Sequence, residues 1–434
     1  MTGHRSDNDE GSVLRSIRSM KVCVLTFGCT YNQADSEKIA EVLKFQGCVV
    51  VDSPEKADAV IVNTCTVIAS TERKMLRLIE SLRDMPLYVT GCMAEVQRGR
   101  ILEAASPRFI RPGEIRDEYR GVNTINPAHV GLVQIASGCP GKCSYCITRQ
   151  ARGPLNSFPP GEIVDLTARL VRAGACEIRV TAQDVSSWGI DRGSDLCDLL
   201  ENLCRIPGDF YLRLGMMNPA TLLPLLPRII PLFHEEKVFK FLHVPVQSGS
   251  DRVLARMQRR YKVADLEQIV ACFRNEFPSL HLMTDLIPGF PGETEEDVEA
   301  TINLLYRIKP NKVNITRYSW RPHTAMPRSE DLPDRIKKDR SRLLLKHSTA
   351  IYHQLNGQWV GRTVPVMVTE RIREGSVSAR TPQYHNVLLR EDLPPGFRCH
   401  ALITGERTYY LTGERCGSTR PCNGSPAVTG HRRL

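Results

Sequence analysis

The chain has 434 residues, which is enough for two or three domains that each bury a core. Its 41% hydrophobic and 24% charged residues are typical of a soluble globular protein, and no apolar run reaches the roughly 18 residues of a membrane-spanning helix. Residues 1–20 are polar and lack the apolar stretch of a secretory signal, so we expect a disordered leader there.

Cysteine content and net charge indicate how the cysteines are used and what kind of partner the protein binds. Fifteen cysteines in a chain without an export signal favour reduced, metal-binding thiols in the cytoplasm over a disulfide framework. The net charge of +10 favours a polyanionic partner, although solubility alone would also explain it.

Strand and helix patterns alternate through residues 21–120, which predicts a parallel α/β sheet. Three apolar strands end at Cys29, Cys65 and Cys92. Loops after parallel strands emerge at the same edge of a sheet, so these thiols can meet there and hold an iron–sulfur cluster. Helices are expected near 35–45, from Thr71 and near Glu95.

A small buried hydrophobe is the alternative interpretation for any single cysteine of this chain. We adopt that alternative for six cysteines outside the strand ends and the clustered motif: Cys23, Cys48, Cys176, Cys197, Cys204 and Cys272.

The segment Ser137–Cys146 carries three closely spaced cysteines, Cys139, Cys143 and Cys146. The Cys-x₃-Cys-x₂-Cys spacing is typical of a loop that holds three irons of a 4Fe-4S cluster and leaves the fourth iron open. Nearby glycines let the thiolates converge without steric conflict. The alternatives are a zinc site, for which the following stretch offers no fourth Cys or His, or three unpaired core cysteines.

A second strand–helix series follows a less regular stretch at 107–130 and predicts an open, partial (β/α)6 barrel. Functional residues are then expected just after the strands. The strand candidates are 132–136, 177–181, 210–214, 239–244, 281–286 and 312–318.

The last part of the chain changes to short β-rich stretches at 363–368, 385–389 and 400–404. They predict a small β-barrel over 356–413, a class of domain that often binds oligonucleotides. A barrel that only braces the rest of the protein is the alternative. Residues 414–434 are rich in Gly, Ser, Pro and charge, and we expect a disordered tail.

Several motifs in order resemble the methylthiotransferases, the radical S-adenosylmethionine (SAM) enzymes that include the MiaB and RimO types. They are Phe-Gly-Cys-Thr-Tyr-Asn-Gln-Ala-Asp-Ser (27–36), Asn-Thr-Cys-Thr-Val (63–67), Gly-Cys-Met-Ala (91–94), the cysteine triplet with Ala-Arg-Gly (151–153), His-Val-Pro-Val-Gln-Ser-Gly-Ser (243–250) and Gly-Phe-Pro-Gly-Glu-Thr (289–294).

The resemblance implies three domains: an N-terminal methylthiotransferase α/β domain (21–120), a radical SAM core (125–355) and an RNA-binding TRAM domain (356–413). It assigns one 4Fe-4S cluster, which binds SAM, to Cys139, Cys143 and Cys146. It assigns an auxiliary 4Fe-4S cluster to Cys29, Cys65 and Cys92.

The resemblance further implies a SAM pocket around Tyr145, Gln183, Arg213, Gln247 and Ser248. Some of these polar residues have a structural alternative. Ser248, or Ser250 beside it, could cap the next helix, and Glu293 with Thr294 could cap another.

The motifs Cys-Thr-Tyr-Asn-Gln-Ala-Asp-Ser, Thr-Ala-Gln-Asp and Leu-Arg-Leu-Gly-Met-Met-Asn-Pro look like the archaeal and eukaryotic tRNA branch. That branch implies a tRNA substrate whose adenosine 3′ to the anticodon, at tRNA position 37, carries an N6-threonylcarbamoyl group. Arg149, Arg152 and Arg317 are candidates to bind its carboxylate. One departure from the family is His323, where Gly is usual, and we assign it no catalytic role.

The family reaction replaces the C2 hydrogen of adenine with a methylthio group. It implies a 5′-deoxyadenosyl radical from one SAM and a sulfur on the auxiliary cluster methylated by a second SAM. The expected partners are the anticodon stem-loop of tRNA and an electron donor such as flavodoxin or ferredoxin, with no membrane and a monomeric chain. The alternative functions are methylthiolation of isopentenyladenosine tRNA or of a ribosomal-protein aspartate, and a nonenzymatic iron–sulfur RNA-binding factor.

Overall fold

The computed structural model describes residues 12–122 and 129–418. Two α/β units and a closed β-barrel follow one another along the chain, which confirms the predicted fold class. The first unit is a five-stranded parallel sheet in the order β2-β1-β3-β4-β5. Its strands are β1 (Lys21–Thr26), β2 (Val49–Val51), β3 (Ala59–Thr64), β4 (Leu87–Gly91) and β5 (Arg108–Phe109), and its helices are α1 (Thr30–Phe45), α2 (Ala69–Ser81), α3 (Cys92–Val96), α4 (Arg98–Ala104) and α5 (Pro112–Arg120).

The central strands β3 and β4 are buried along their whole length. This explains their nearly continuous apolar sequences, because helices cover both faces of a parallel sheet. The helix predicted near 35–45 begins earlier, at Thr30, directly after Cys29. One helix was expected near Glu95, and the structure divides that stretch between α3 and α4.

The prediction of a disordered leader is wrong for residues 12–20. A short 3-10 helix, Leu14–Ser16, lies there, and the side chains of Leu14 and Ile17 are fully buried in the core of the first unit. The backbone N–H of Val13 donates to Glu114 Oε2 at 2.9 Å, which anchors the segment to α5. Residues 1–11 lie outside the described part of the chain.

The second unit confirms the predicted partial barrel of six parallel strands. Two three-stranded sheets, β6-β9-β10 and β11-β12-β13, are joined by a bridge between Leu212 and Val238. The strands of this unit, including a short antiparallel pair β7-β8, are β6 (Val130–Gln134), β7 (Ala136–Ser137), β8 (Asn156–Ser157), β9 (Glu177–Thr181), β10 (Tyr211–Leu214), β11 (Phe241–His243), β12 (His281–Leu286) and β13 (Lys312–Ile315).

Helices alternate with these strands along the chain. They are α6 (Thr148–Arg152), α7 (Pro160–Arg172), α8 (Leu196–Cys204), α9 (Pro219–Leu222), α10 (Leu226–Leu232), α11 (Asp251–Arg256), α12 (Val263–Glu276), α13 (Glu295–Ile308) and α14 (Asp334–Gly357). The predicted strands 177–181 and 281–286 have the observed bounds, and the other four differ at one or both ends.

A closed barrel in the order β14-β15-β16-β18-β17 forms the third unit. Its strands are β14 (Thr363–Arg373), β15 (Ser376–Arg380), β16 (Asn386–Leu389), β17 (Arg398–Glu406) and β18 (Leu411–Ser418). The prediction of a disordered tail from 414 is therefore wrong up to Ser418, because this part of β18 pairs with β17. Residues 419–434 lie outside the described chain.

The third unit packs against the amino-terminal ends of the strands of the second. Tyr384 Oη donates to Glu177 Oε1 at 2.7 Å, and Arg398 Nε donates to Asp209 Oδ2 at 2.9 Å. The small barrel thereby covers one end of the large one. Among the described helices, none is both long and apolar enough to cross a membrane.

Four of the six cysteines expected to be buried hydrophobes are buried: Cys23, Cys48, Cys176 and Cys197. Cys204 and Cys272 are only half-buried, but both pack against the hydrophobic core of the second unit.

Candidate active site

The cysteine loop after β6 is shaped by two glycines. Gly138 has a φ of +76°, and a Cβ there would overlap the carbonyl oxygen of Pro154. The backbone N–H of Gly141 donates to Cys139 Sγ at 3.3 Å, and a Cβ on Gly141 would lie 3.3 Å from that sulfur and 3.7 Å from Cys143 Sγ. Glycine at both positions therefore leaves room for the sulfurs and for any group that they bind.

The chemistry of these thiols fits an iron–sulfur cluster. Burial raises the pKa of Cys139 to about 12, with smaller contributions from Asp184, Cys146 and Cys143. Thiols in this environment become thiolates only when a cation binds them. Within residues 12–122 and 129–418, no group of three His, Cys, Asp or Glu side chains is drawn together tightly enough for a single metal ion.

A cation and a phenol border the same loop. Arg259 Nη1 donates to Cys143 Sγ at 3.2 Å, and Arg259 Nε donates to Tyr261 Oη at 2.9 Å. Tyr261 Oη in turn donates to the carbonyl oxygen of Val246 at 2.8 Å. The loop after β11 and the cysteine loop are thereby held together, and a positive charge faces the sulfurs.

The strand-end cysteines also converge, as the parallel sheet predicts. β1, β3 and β4 are neighbours, and Cys29, Cys65 and Cys92 follow their carboxyl ends. A Cβ on Gly28 would lie 3.0 Å from Cys65 Cβ and 3.2 Å from its Sγ. Burial raises the pKa of Cys92 to about 11, with smaller contributions from Cys29 and Cys65. This second donor set likewise fits a cluster held by three thiolates.

Asn32 and Arg152 connect the two cysteine sites. Asn32 Nδ2 donates to the carbonyl oxygens of Phe27 (2.8 Å) and Thr64 (2.9 Å), and so holds two cysteine-bearing loops together. Arg152 Nη2 donates to Asn32 Oδ1 and to Asp35 Oδ2, both at 2.9 Å. Since Arg152 lies on α6, directly after the first cysteine loop, one buried ion pair fixes that loop to the second site.

Arg321 makes the corresponding connection on the other side of the site. Its Nη1 donates to Glu72 Oε2 at 2.8 Å, and its Nε donates to the carbonyl oxygen of Val67 at 3.2 Å. Arg100 also pairs with Glu72. Nearby, His323 has a φ of +61°, which accounts for the glycine that the family usually carries at this position.

Four of the five residues predicted to surround SAM lie at the carboxyl ends of barrel strands. Gln183 follows β9, and its Oε1 is buried without a partner among the described residues. Gln247 follows β11 with a φ of +74°, a strained conformation of the kind found at functional sites. Ser248 is buried beside it, and half-buried Tyr145 packs edge-on against Phe290 at 6.0 Å. Contact of these residues with SAM stays a prediction.

The structure shows which of the serine, threonine and glutamate candidates cap helices. Ser250, rather than Ser248, caps α11 by accepting from the backbone N–H of Val253. Thr294 caps α13, but Glu293 does not, because its carboxylate accepts from Gly289 N and Arg340 Nη1.

A cavity of about 340 Å³ lies between the strands of the large barrel and the small barrel. Its lining extends from Thr30, next to Cys29, to Tyr384 of the small barrel. The remaining predicted SAM residue, Arg213, lines this cavity within β10 instead of following the strand end. Of the other predicted arginines, Arg149 donates to the carbonyl oxygen of Cys139 at 3.4 Å, and Arg317 is exposed.

Sequence reasoning missed Asn32, Asp35 and Arg321 as residues that position the site. The first two lie inside the motif at 27–36, but the predicted helix began only at Asp35 and hid their place beside Cys29. Arg321 stands next to the departure at His323, and only the fold shows that it reaches the loop after Cys65.

Comparison with known proteins identifies two family matches. The model described as "Uncharacterized protein family UPF0004" matches residues 21–110, and that of the "Radical SAM superfamily" matches residues 133–305. Three relatives cover most of the chain. A "Probable threonylcarbamoyladenosine tRNA methylthiotransferase" of Pyrococcus horikoshii is 37% identical over 91% of this chain and 99% of its own. A protein of the same name from Methanothermobacter thermautotrophicus is 36% identical over 90% of this chain and 99% of its own. The "Threonylcarbamoyladenosine tRNA methylthiotransferase" of Mus musculus is 31% identical over 92% of this chain and 75% of its own.

Solved structures show the same fold at low sequence identity. The radical S-adenosylmethionine methyltransferase TsrM from Kitasatospora setae, with cobalamin and a [4Fe-4S] cluster bound, aligns with a TM-score of 0.50 and 15% identity, over 71% of this chain and 77% of TsrM. The cobalamin-dependent radical enzyme OxsB aligns with a TM-score of 0.50 and 11% identity, over 77% of this chain and 58% of OxsB.

Proposed function

The chain belongs to the threonylcarbamoyladenosine tRNA methylthiotransferases, a family of radical SAM enzymes, and we propose that it converts N6-threonylcarbamoyladenosine next to the tRNA anticodon into its 2-methylthio derivative. The observation that carries the proposal is the pair of cysteine triplets, one after β6 and one at the strand ends of the first sheet, held together by Arg152. A reaction that joins sulfur to an unactivated carbon needs both sites near one substrate.

Membership of the radical SAM superfamily implies SAM and one 4Fe-4S cluster, which Cys139, Cys143 and Cys146 would hold. We propose a second cluster on the strand-end cysteines. When bound, these groups supply the reducing electron, the radical chemistry and the sulfur. The electron would come from a small redox protein such as flavodoxin or ferredoxin.

The chain's own residues position the reactants and need not act as acids or bases, since a C–H bond of adenine has no acidic proton to transfer. Arg259 and Tyr261 hold the first cysteine loop, and Arg152 and Arg321 hold the second site against the barrel. Enclosure of the adenine in the barrel cavity would exclude water from the reacting atoms. The small barrel is compatible with a TRAM domain, and we propose that it binds the anticodon stem-loop.

The test is a comparison of substrates under anaerobic conditions. The reconstituted protein is given SAM, a reductant and an equimolar mixture of threonylcarbamoylated and isopentenylated tRNA, and the digested RNA is analysed by mass spectrometry. Methylthiolation of the threonylcarbamoyl nucleoside alone supports the proposal. Methylthiolation of the isopentenyl nucleoside, or of neither while 5′-deoxyadenosine still forms, contradicts the proposed substrate. Absence of both product and SAM cleavage would favour a nonenzymatic RNA-binding factor.

Gly91→Ala is expected to disrupt the second site selectively. Gly91 has a φ of +88°, and an added Cβ would overlap Asn63 Oδ1 and the carbonyl oxygen of Thr64, next to Cys65. The variant should lose about half of the iron bound by the wild type, because only one of two equal clusters depends on this turn. Iron analysis after reconstitution measures the loss.

The matched control is Gly99→Ala on α4, where an added Cβ meets nothing within 4 Å. It should keep the wild-type iron content. Full iron in Gly91→Ala, or equal losses in both variants, would contradict the assignment of the second cluster to this sheet edge.

A further inference from the structure

The middle of the barrel cavity carries several positive charges. Arg213 on β10 lies opposite Arg179 on β9, and both side chains line the cavity. Lys312 opens β13, and Arg380 ends β15 of the small barrel. Both also line the cavity, so four cations from two units of the protein surround one space.

Among the described residues, Arg179 is the one of these cations that donates a hydrogen bond to a carboxylate. Arg179 Nε donates to Glu177 Oε1 at 2.7 Å, and Tyr384 Oη donates to the same oxygen at 2.7 Å. Within the described residues, the side chains of Arg213, Lys312 and Arg380 have no hydrogen bond and no ion pair. The Nε atoms of Arg213 and Arg380 are buried without an acceptor.

The other nearby carboxylate is engaged elsewhere. Asp285 lies 3.1 Å from His243 Nε2 and accepts from Asn314 Nδ2 at 2.7 Å. Lys312 is exposed to solvent. Partial desolvation and the charges of Arg380 and Arg213 lower its pKa, and Asp285 opposes that shift. Like charges that face one another destabilise a protein, and the buried Nε donors of Arg213 and Arg380 have no acceptor among the described residues. The cluster is therefore suited to an anion from outside the chain.

We propose that Arg213, Lys312 and Arg380 bind the carboxylate of the threonylcarbamoyl group on the substrate adenosine. The inference rests on the proposed function, because the threonylcarbamoyl group is what gives the substrate adenosine a carboxylate. Arginine forks match a carboxylate in two-point contacts, and Lys312 adds a point charge. Arg213 lies over the ring of Phe241 at 4.7 Å, which fixes the plane of its guanidinium.

The position of the cluster along the barrel strands distinguishes the carboxylate of the substrate from that of SAM. The SAM carboxylate would stay at the open iron, whereas the cluster lies further from the strand ends. Arg213 and Arg179 lie level with Leu132 on β6, well before Cys139. Lys312 lies three residues before the end of β13, about 10 Å below the strand end at about 3.3 Å per residue. Arg380 enters from the opposite end of the barrel, with the small barrel. The cluster is therefore placed to contact a substituent of the adenine that extends toward the amino-terminal ends of the barrel strands.

The test uses the reconstituted full-length enzyme and two synthetic anticodon stem-loops. One carries N6-threonylcarbamoyladenosine with a free carboxylate, and the other carries the same group with the carboxylate capped as a methylamide. Wild-type kcat/KM should favour the free carboxylate by about a hundredfold, since loss of a charged partner leaves buried donors unpaired. Lys312→Met and Arg380→Gln should each reduce that preference about tenfold while leaving turnover of the capped stem-loop unchanged. Lys312→Arg should retain the preference.

Arg205→Gln is the matched control, because it removes one exposed charge far from the cavity and should leave the preference unchanged. Two further readouts identify the source of the anion. A rise in the KM for SAM, with the preference unchanged, would assign the cluster to the SAM carboxylate and overturn the proposal. Weaker binding of an unmodified stem-loop would assign it to RNA phosphate and overturn it as well.

The failure of this inference and that of the proposed function give different results. A wild-type enzyme that methylthiolates the free-carboxylate stem-loop, with variants that keep its preference, would overturn the inference alone. A wild-type enzyme that modifies neither stem-loop would overturn the proposed function and, with it, this inference.

Discussion

Replacing Cys139 with alanine is expected to abolish both SAM cleavage and methylthiolation, whereas replacing Cys65 should abolish methylthiolation and leave part of the SAM cleavage. Each loss should exceed about a thousandfold, because neither step has a measurable uncatalysed background. The reason is positional: Cys139 belongs to the loop after β6, and Cys65 belongs to the edge of the first sheet. Quantifying 5′-deoxyadenosine and the methylthio nucleoside in the same reaction separates the two activities.

Cys272→Ala serves as the matched control. Cys272 is a free, half-buried thiol on α12, outside both cysteine sites. Its replacement should leave both activities near wild type. Equal loss of both activities in Cys139→Ala and Cys65→Ala would contradict the division of labour between the two sites.

Arg152→Met is expected to destabilise the protein by about 3–5 kcal/mol, because it leaves the buried carboxylate of Asp35 without its cation. It also removes the hydrogen bond to Asn32, which holds two cysteine-bearing loops together. Methylthiolation should therefore fall more than SAM cleavage does. Urea unfolding of the cluster-free protein measures the stability, and the product ratio measures the activity.

A second substitution tests whether the stability lost in Arg152→Met comes from the ion pair or from packing alone. Asp35→Asn keeps a group that can accept from Gln134 Nε2 but removes the charge, so the double variant should recover part of the stability lost in Arg152→Met. Arg205→Met, which removes the cation of an exposed pair, should cost less than about 1 kcal/mol. Additive losses in the double variant would contradict a functional Arg152–Asp35 pair.

The sequence alone predicted the fold class and the convergence of the strand-end cysteines, because both follow from the period of apolar residues and from the geometry of parallel strands. It did not predict that Leu14 and Ile17 enter the core. Their segment is short and polar, and its burial depends on the distant carboxylate of Glu114. The end of β18 was missed for the same kind of reason, since pairing with β17 makes residues 414–418 a strand.

The charge cluster in the barrel shows the limit of reading a site from motifs. Arg213 was expected beside SAM, and Lys312 and Arg380 lie in no recognised motif. The three residues come from three distant segments, and only the register of the strands and the docking of the small barrel bring them together. The signal available in the sequence was a cation at a strand position that faces the barrel interior. The other members of the cluster depend on tertiary structure, so the sequence alone did not identify them.

The most direct test of the account follows a single hydrogen atom. If the barrel places adenine C2 beside SAM, a stem-loop deuterated at C2 of its threonylcarbamoyladenosine should give 5′-deoxyadenosine that contains deuterium, together with a methylthio nucleoside that has lost it. Mass spectrometry of both products from one reaction provides the measurement. A methylthio product formed without transfer of deuterium to 5′-deoxyadenosine would contradict the proposed placement of the substrate.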